Sequence, residues 1–289
     1  MIEELGHYRI LDEVGPGSLG DVYRARDTRL GRTVAITVVR PDIVDDPVRR
    51  KRFLADARAA TTLSHPNIAI LYEVREEAAA VYLVREFVPG RSVRKLTDAG
   101  PMNPRRAVDL AAQVADALAE AHAEGVGHRM LRSEFILETP KGSGKILDFG
   151  LANWTRSGEG EGEAGQSTNA PEPDHRRDIF DLGSILLEML AGTGRPGPAR
   201  MDSVRMPEEL RMILERALND DPERRYGAAA TLAAELRSVG AILDVRNEAS
   251  EMPEQGLPER SSKPILAWLA AIAILSALAA LIWLASRPS

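Results

Sequence analysis

The chain is 289 residues long, carries a formal net charge of −6 and contains no cysteine. At roughly 100–200 residues per domain, that length allows one large bilobal domain plus an appendage. The acidic balance argues against a nucleic-acid partner, which shows as a basic face, and the missing cysteine excludes disulfides, thiolate metal sites and a cysteine nucleophile.

The opening residues, MIEELGHYRI, hold no basic stretch followed by an apolar core, so no secretory signal is expected. Residues 8 to 39 read as strands and turns: Tyr8, Ile10 and Leu11 lead into a glycine-rich stretch, then come Val22 to Ala25 and Thr33 to Ile36. Asp46-Pro47 opens a helix expected to reach about Leu63, where His65-Pro66-Asn67 breaks it. Apolar runs near 68–75 and 80–87, separated by Glu76-Glu77, predict a hairpin. From Asn103 the apolar spacing becomes helical, through Val108, Leu110, Val114, Leu118 and Ala121, and Gly125 stops it. Short strands near 135–138 and 145–147 flank a Lys141-Gly142-Ser143-Gly144 turn. The acidic, low-complexity stretch 156–168 reads as a loop, and helices follow near 176–191, 207–218 and 227–241. Residues 244–263, polar and proline-containing, read as a linker.

Residues 265–285, ILAWLAAIAILSALAALIWLA, hold no charge. As a helix they would reach about 32 Å, against a hydrocarbon core of about 30 Å. Trp268 and Trp283 sit near the ends, Arg260 and Lys263 flank one side, and Arg287 flanks the other. A buried core helix is the alternative, but a helix apolar on every face favours a transmembrane anchor. The excess of basic residues before the span places the N-terminal domain in the cytoplasm, and with only 286–289 beyond it no outside sensor domain is expected.

Gly15-x-Gly17-x-x-Gly20-x-Val22 lies between two strands, not before a helix. Glycines let backbone amides approach phosphate oxygens. From this motif alone a plain hairpin turn is the better reading, but the setting disfavours a dinucleotide fold and suits a loop over ATP. Further landmarks follow in order: Val34-Ala35-Ile36, Leu63-x-His65-Pro66-Asn67-Ile68, His128-Arg129, Asp148-Phe149-Gly150, Ala170-Pro171-Glu172, Asp178-Ile179-Phe180-x-Leu182-Gly183 and Asp221-Pro222-x-x-Arg225. Together they resemble a bacterial-type serine/threonine protein kinase domain. The resemblance implies an α+β, bilobal protein-kinase-like fold over residues 8–240, with a small β-rich N-lobe and a larger helical C-lobe. The linker would then be 241–263 and the transmembrane helix 264–285.

The departures from that pattern concern the chemistry. The resemblance implies a lysine after Val-Ala-Ile, and the chain has Thr37. The helix glutamate that pairs with it is matched by Asp56, one methylene shorter. The catalytic loop reads His128-Arg129-Met130-Leu131-Arg132-Ser133-Glu134-Phe135. Met130 stands where the resemblance implies the base aspartate, and Phe135 where it implies the magnesium-binding asparagine. A thioether and a phenyl ring can neither take a proton nor bind a hard cation. The segments between Glu172 and Asp178 and over 193–206 are short, which puts the docking surface for a protein substrate in question.

Other positions match. The resemblance implies that Gly15, Gly17, Gly20, Val22, Ala35 and Leu137 border a nucleotide, that Glu86 and Val88 offer backbone groups to adenine, and that Asp148 ligates a metal. It implies an apolar column with His128 and Phe149, a Glu172–Arg225 ion pair, and a brace from Asp178 to the catalytic loop. Maintenance of the fold alone explains these matches as well. The resemblance implies that Arg129 is the residue that pairs with a phosphorylated activation loop. Over 153–169, Glu159, Glu161 and Glu163 supply constant charge for it, or Thr155 and Thr168 accept phosphate, or the loop is simply solvated. Arg85 falls at the gatekeeper position, where an unpaired cation is costly, so Asp56 or Asp148 is expected as its partner in an interlobe lock that competes with nucleotide. A one-residue slip that turns Arg85 to solvent is the alternative.

These features predict a membrane-tethered pseudokinase that acts on a protein partner, an active kinase or a phosphoprotein-binding adaptor, with ATP and magnesium contributing weakly or not at all. The alternatives are an active serine/threonine kinase with rewired catalytic residues and a structural module with a closed pocket.

Overall fold

The computed structural model describes residues 4–77, 80–155, 175–192, 201–202 and 204–251. The expected membrane span, the glutamate-rich stretch and Ala170-Pro171-Glu172 lie outside them. Among the described residues no helix is long and apolar enough to cross a membrane. The chain divides into a unit over Met1–Leu243 and a second over Asp244–Ser289.

The N-terminal half of the first unit is a six-stranded antiparallel sheet in the order β1-β2-β3-β4-β6-β5. Its strands are β1 (Glu4–Leu5), β2 (Tyr8–Pro16), β3 (Gly20–Asp27), β4 (Thr33–Val39), β5 (Leu71–Glu77) and β6 (Ala80–Glu86). Val22 and Ala25, three apart on β3 and so on opposite faces of the sheet, are both buried. Two helices lie between β4 and β5: α1 (Pro41–Val44), which periodicity does not reveal, and α2 (Pro47–Ala60). Asp46 caps α2 by accepting from the Arg49 N–H at 2.7 Å, with Pro47 in the first turn where its missing N–H costs nothing. Phe53, Leu54, Ala57 and Ala60 bury one face of α2 against Val39, Ile43, Leu71 and Leu83.

The helical half begins with a two-residue strand, β7 (Arg91–Ser92), and α3 (Val93–Thr97), both missed by pattern reading because of their length. α4 (Pro104–Ala123) starts where Asn103 accepts from the Arg105 N–H at 2.9 Å. It ends at Gly125, whose φ of 73° places it in the left-handed region that terminates helices. Strands β8 (Ile136–Glu138) and β9 (Gly144–Ile146) complete a three-stranded sheet with β7. α5 (His175–Ala191), α6 (Glu208–Ala217) and α7 (Ala229–Glu251) follow. Helix α7 corrects one expectation: it continues to Glu251, through residues read as linker.

The His65-Pro66-Asn67 break also joins the two halves. Asn67 donates through Nδ2 to the Gln113 Oε1 at 3.0 Å and the Gly144 carbonyl at 2.7 Å. The Ile146 N–H donates to the Asn67 carbonyl at 2.8 Å, and Ile68 forms a parallel bridge to Ile146. The helical lobe's core is built mainly from α4, α5, α6 and the first half of α7.

Candidate functional site in the interlobe cleft

The glycine turn is tight, with the Gly17 N–H donating to the Gly20 carbonyl at 2.9 Å. Gly20 has φ of 153°, and a Cβ there would collide with the Val38 carbonyl. This glycine is therefore required by strand packing whether or not phosphate is bound. Between the glycines the loop turns inward: Leu19 is 1% exposed and packs with Ile43, Phe53, Leu54 and Leu151. Its neighbour Ser18 donates from Oγ to the Asp148 Oδ2.

Asp148 is the carboxylate at the centre of the cleft. It follows β9 in the left-handed region, φ 53°, which aspartate tolerates better than most residues. Its second oxygen, Oδ1, accepts from Arg85 Nη1. The side chains of Arg85 and Asp148 are 12% and 6% exposed. Of the two carboxylates expected in reach of Arg85, then, Asp148 is its partner. Asp56 is not, which corrects that expectation: its Oδ2 accepts from the Trp154 indole N–H at 2.9 Å. Trp154 stands edge-on to Phe53 with centroids 5.6 Å apart, so the short 3₁₀ turn Ala152–Thr155 is fastened to α2. Thr37 is 1% exposed, and its hydroxyl has no partner among the described residues.

The catalytic-loop positions are used for packing. Phe135 is 2% exposed, its ring centroid 5.5 Å from that of His128. His128 in turn meets the edge of Phe149 at 5.2 Å and bonds through Nε2 to the Leu147 carbonyl at 3.2 Å. Burial pushes the His128 pKa down, so the imidazole is neutral near pH 7. Met130 is partly buried and Arg129 is exposed with φ of 69°.

Asp178 holds that loop in place. Its carboxylate accepts from the backbone N–H groups of His128 and Arg129, both at 2.8 Å, and lies 2.9 Å from His122 Nε2. Burial alone would raise its pKa, but the hydrogen bonds from His122 and the loop outweigh it and the shift is downward. One turn along α5, Asp181 has few such donors, and burial pushes it up to about 6 despite the adjacent Arg177. A raised carboxylate pKa favours the fold below the ordinary value, and that contribution is lost as pH rises through 6. Asp181→Asn is therefore expected to raise the unfolding midpoint relative to wild type at pH 7.5, with the gain shrinking to nothing near pH 4. Thermal melts across that range check it, and a constant difference would refute it.

Among the residues expected to border a nucleotide, the Glu86 N–H donates to the Ile70 carbonyl at 2.8 Å, and its carboxylate takes Lys145 Nζ at 2.7 Å. Val88 follows on the connection to β7, Leu137 of β8 pairs with Ser92 of β7, and Ala35 pairs with Arg85. Gly15 and Val22 are opposite each other across β2 and β3. The nearby cavity lined by Leu83, Arg85, Asp148 and Phe149 has a volume of about 20 Å³. That is room for a water.

Magnesium with ATP, the group the kinase resemblance implies, does not fit these residues. Both oxygens of Asp148 are engaged by donors, one of them cationic. Phe135 offers no oxygen, and Thr37 carries no charge for the phosphates. Sequence reading singles out neither Ser18 and Leu19 nor Trp154. An apolar residue inside a glycine turn is the signal that finds the first pair, whereas nothing local marks Trp154 as a partner of Asp56.

The family model for the protein kinase domain matches residues 8–236. The chain belongs to the protein kinase family. Among curated kinases, PrkC of Bacillus subtilis, a serine/threonine-protein kinase, is 29% identical over 261 residues, covering 81% of this chain and 40% of that protein. The serine/threonine-protein kinase pkn3 of Myxococcus xanthus is 31% identical over 271 residues, covering 80% of this chain and 50% of its own length. The chain thus spans half or less of these kinases. The crystal structure of the Mycobacterium tuberculosis PknI kinase domain superposes with a TM-score of 0.66 at 22% identity, covering 81% of this chain and 97% of that one, a likeness of fold.

Proposed function

We propose that the chain is a membrane-tethered pseudokinase: a serine/threonine-kinase-like domain that does not transfer phosphate and acts by binding a protein partner, an active kinase or a phosphoprotein-binding adaptor. The observation that carries this reading is the state of Asp148, held between Arg85 and Ser18 while Thr37, Met130 and Phe135 replace the residues that the chemistry needs. A positioned base alone contributes about 10²–10⁴-fold, and losses within one constellation do not simply add. Turnover is nonetheless expected far below the roughly 1–100 s⁻¹ of ordinary kinases. Tethering rests on the uncharged 265–285 stretch, with the kinase-like domain on the cytoplasmic side.

The chain incubated with labelled ATP and either magnesium or manganese is expected to label neither itself nor a basic protein substrate. Transfer that Asp148→Ala abolishes would establish the active-kinase alternative instead. For the topology, protease added outside sealed cells is expected to leave the N-terminal domain intact, and its digestion would reverse the assignment.

A further inference from the structure

We infer that Arg85 is a resident cation that takes the metal's place on Asp148 and closes the cleft to a metal-bound nucleotide. The inference deepens the pseudokinase reading and rests on it, since it names what holds the silent site shut. The strand register explains how the charge arrives. On the β4–β6 ladder, Thr37 faces Leu83 and Ala35 faces Arg85, so Arg85 is the diagonal neighbour of Thr37 on one side of the sheet. Such positions lie about 7–8 Å apart, within reach of a long side chain. A lysine at 37 would fill that space with its own ammonium. The short, buried threonine leaves it open, and the guanidinium of Arg85 enters from the next strand to meet Asp148.

Three further contacts fit a closed state and not an open site. Ser18 occupies the other oxygen of Asp148, which brings the glycine turn down onto the carboxylate. Leu19 anchors that turn in the core beside Leu151, three residues past Asp148. Asp56, the carboxylate that would otherwise attract the cation, is occupied by the Trp154 N–H. A buried carboxylate with one cation and one hydroxyl donor is already neutralised, and a divalent ion would have to displace a guanidinium whose own charge repels it.

The test uses the full chain in detergent micelles and four forms: wild type, Arg85→Met, Asp148→Asn and the double variant. Each single change is expected to lower the unfolding midpoint by several degrees. In the double variant the losses should fall short of their sum, with a coupling of at least tenfold in the unfolding constant. Manganese, followed by electron paramagnetic resonance, is expected to bind Arg85→Met at least tenfold more tightly than wild type. Additive losses overturn the inference, as does equal manganese affinity in wild type and Arg85→Met. Manganese binding by the unaltered chain that Asp148→Asn removes overturns it even where Arg85→Met does not fold. Phosphoryl transfer by the unaltered chain would instead overturn the pseudokinase reading, so the two failures are distinguishable.

Discussion

Asp178→Ala is expected to cost about 3–5 kcal/mol of folding stability, the largest loss from any single polar substitution in the helical lobe. The carboxylate is 1% exposed and is the acceptor for two loop N–H groups and His122. Removing it strands the buried N–H of His128, at about 1–3 kcal/mol, leaves the part-buried N–H of Arg129 without its acceptor, and frees Arg129 from a left-handed conformation that costs energy to hold. Asparagine should recover only part of the loss, because its amide nitrogen presents a donor to a donor. The pH dependence has the opposite sign to that of Asp181. A depressed carboxylate pKa stabilises the fold above the ordinary carboxylate range, and the contribution disappears as pH falls through the native value. Urea titrations at pH 7 and at about pH 2, below the ordinary carboxylate range, measure both effects. A loss below 1 kcal/mol at neutral pH would mean the loop is held by something else.

Thr37→Lys, which puts the family's lysine back, is expected to destabilise the protein by about 2–4 kcal/mol and to restore no activity. Position 37 is buried between Val22 and Leu83, and a lysine extending from it would meet the guanidinium on Asp148. Two cations would then share one carboxylate, with Asp56 already bonded to Trp154. Combining Thr37→Lys with Arg85→Met moves the charge back to the first strand and should recover most of the stability. Chemical denaturation of the two variants decides it. A harmless Thr37→Lys would show that Arg85 does not occupy the lysine's place.

Much of the fold is legible in the sequence because its signals are local. Asp46-Pro47 and Asn103-Pro104 each announce a helix start through a cap that the structure uses, and the runs Val22 to Ala25 and Thr33 to Ile36 give two strands directly. The helical path of 244–251 is not legible. A stretch polar on all faces reads as linker when hydrophobic periodicity is the guide, although alanine, arginine and glutamate favour helix there. Within the site, the losses at Thr37, Met130 and Phe135 are evident residue by residue. The pairings are less so, because Asp56 and Trp154 are 98 positions apart and Arg85 and Asp148 are 63 apart. Only tertiary contact decides which carboxylate each donor finds, and so Arg85 could be assigned two partners from sequence but not one.

The Trp154–Asp56 contact has a use that chemistry does not exhaust. The chain has three tryptophans, and the other two, Trp268 and Trp283, lie in the apolar 265–285 stretch. The Trp154 indole, which packs against α2, is therefore the sole native fluorophore of its type in the kinase-like domain, seated edge-on to Phe53 and hydrogen-bonded to a carboxylate. Its emission wavelength and lifetime report the attachment of α2 directly. On the proposed tethering, brominated lipid would silence Trp268 and Trp283, leaving a label-free optical signal for the arrival of a partner.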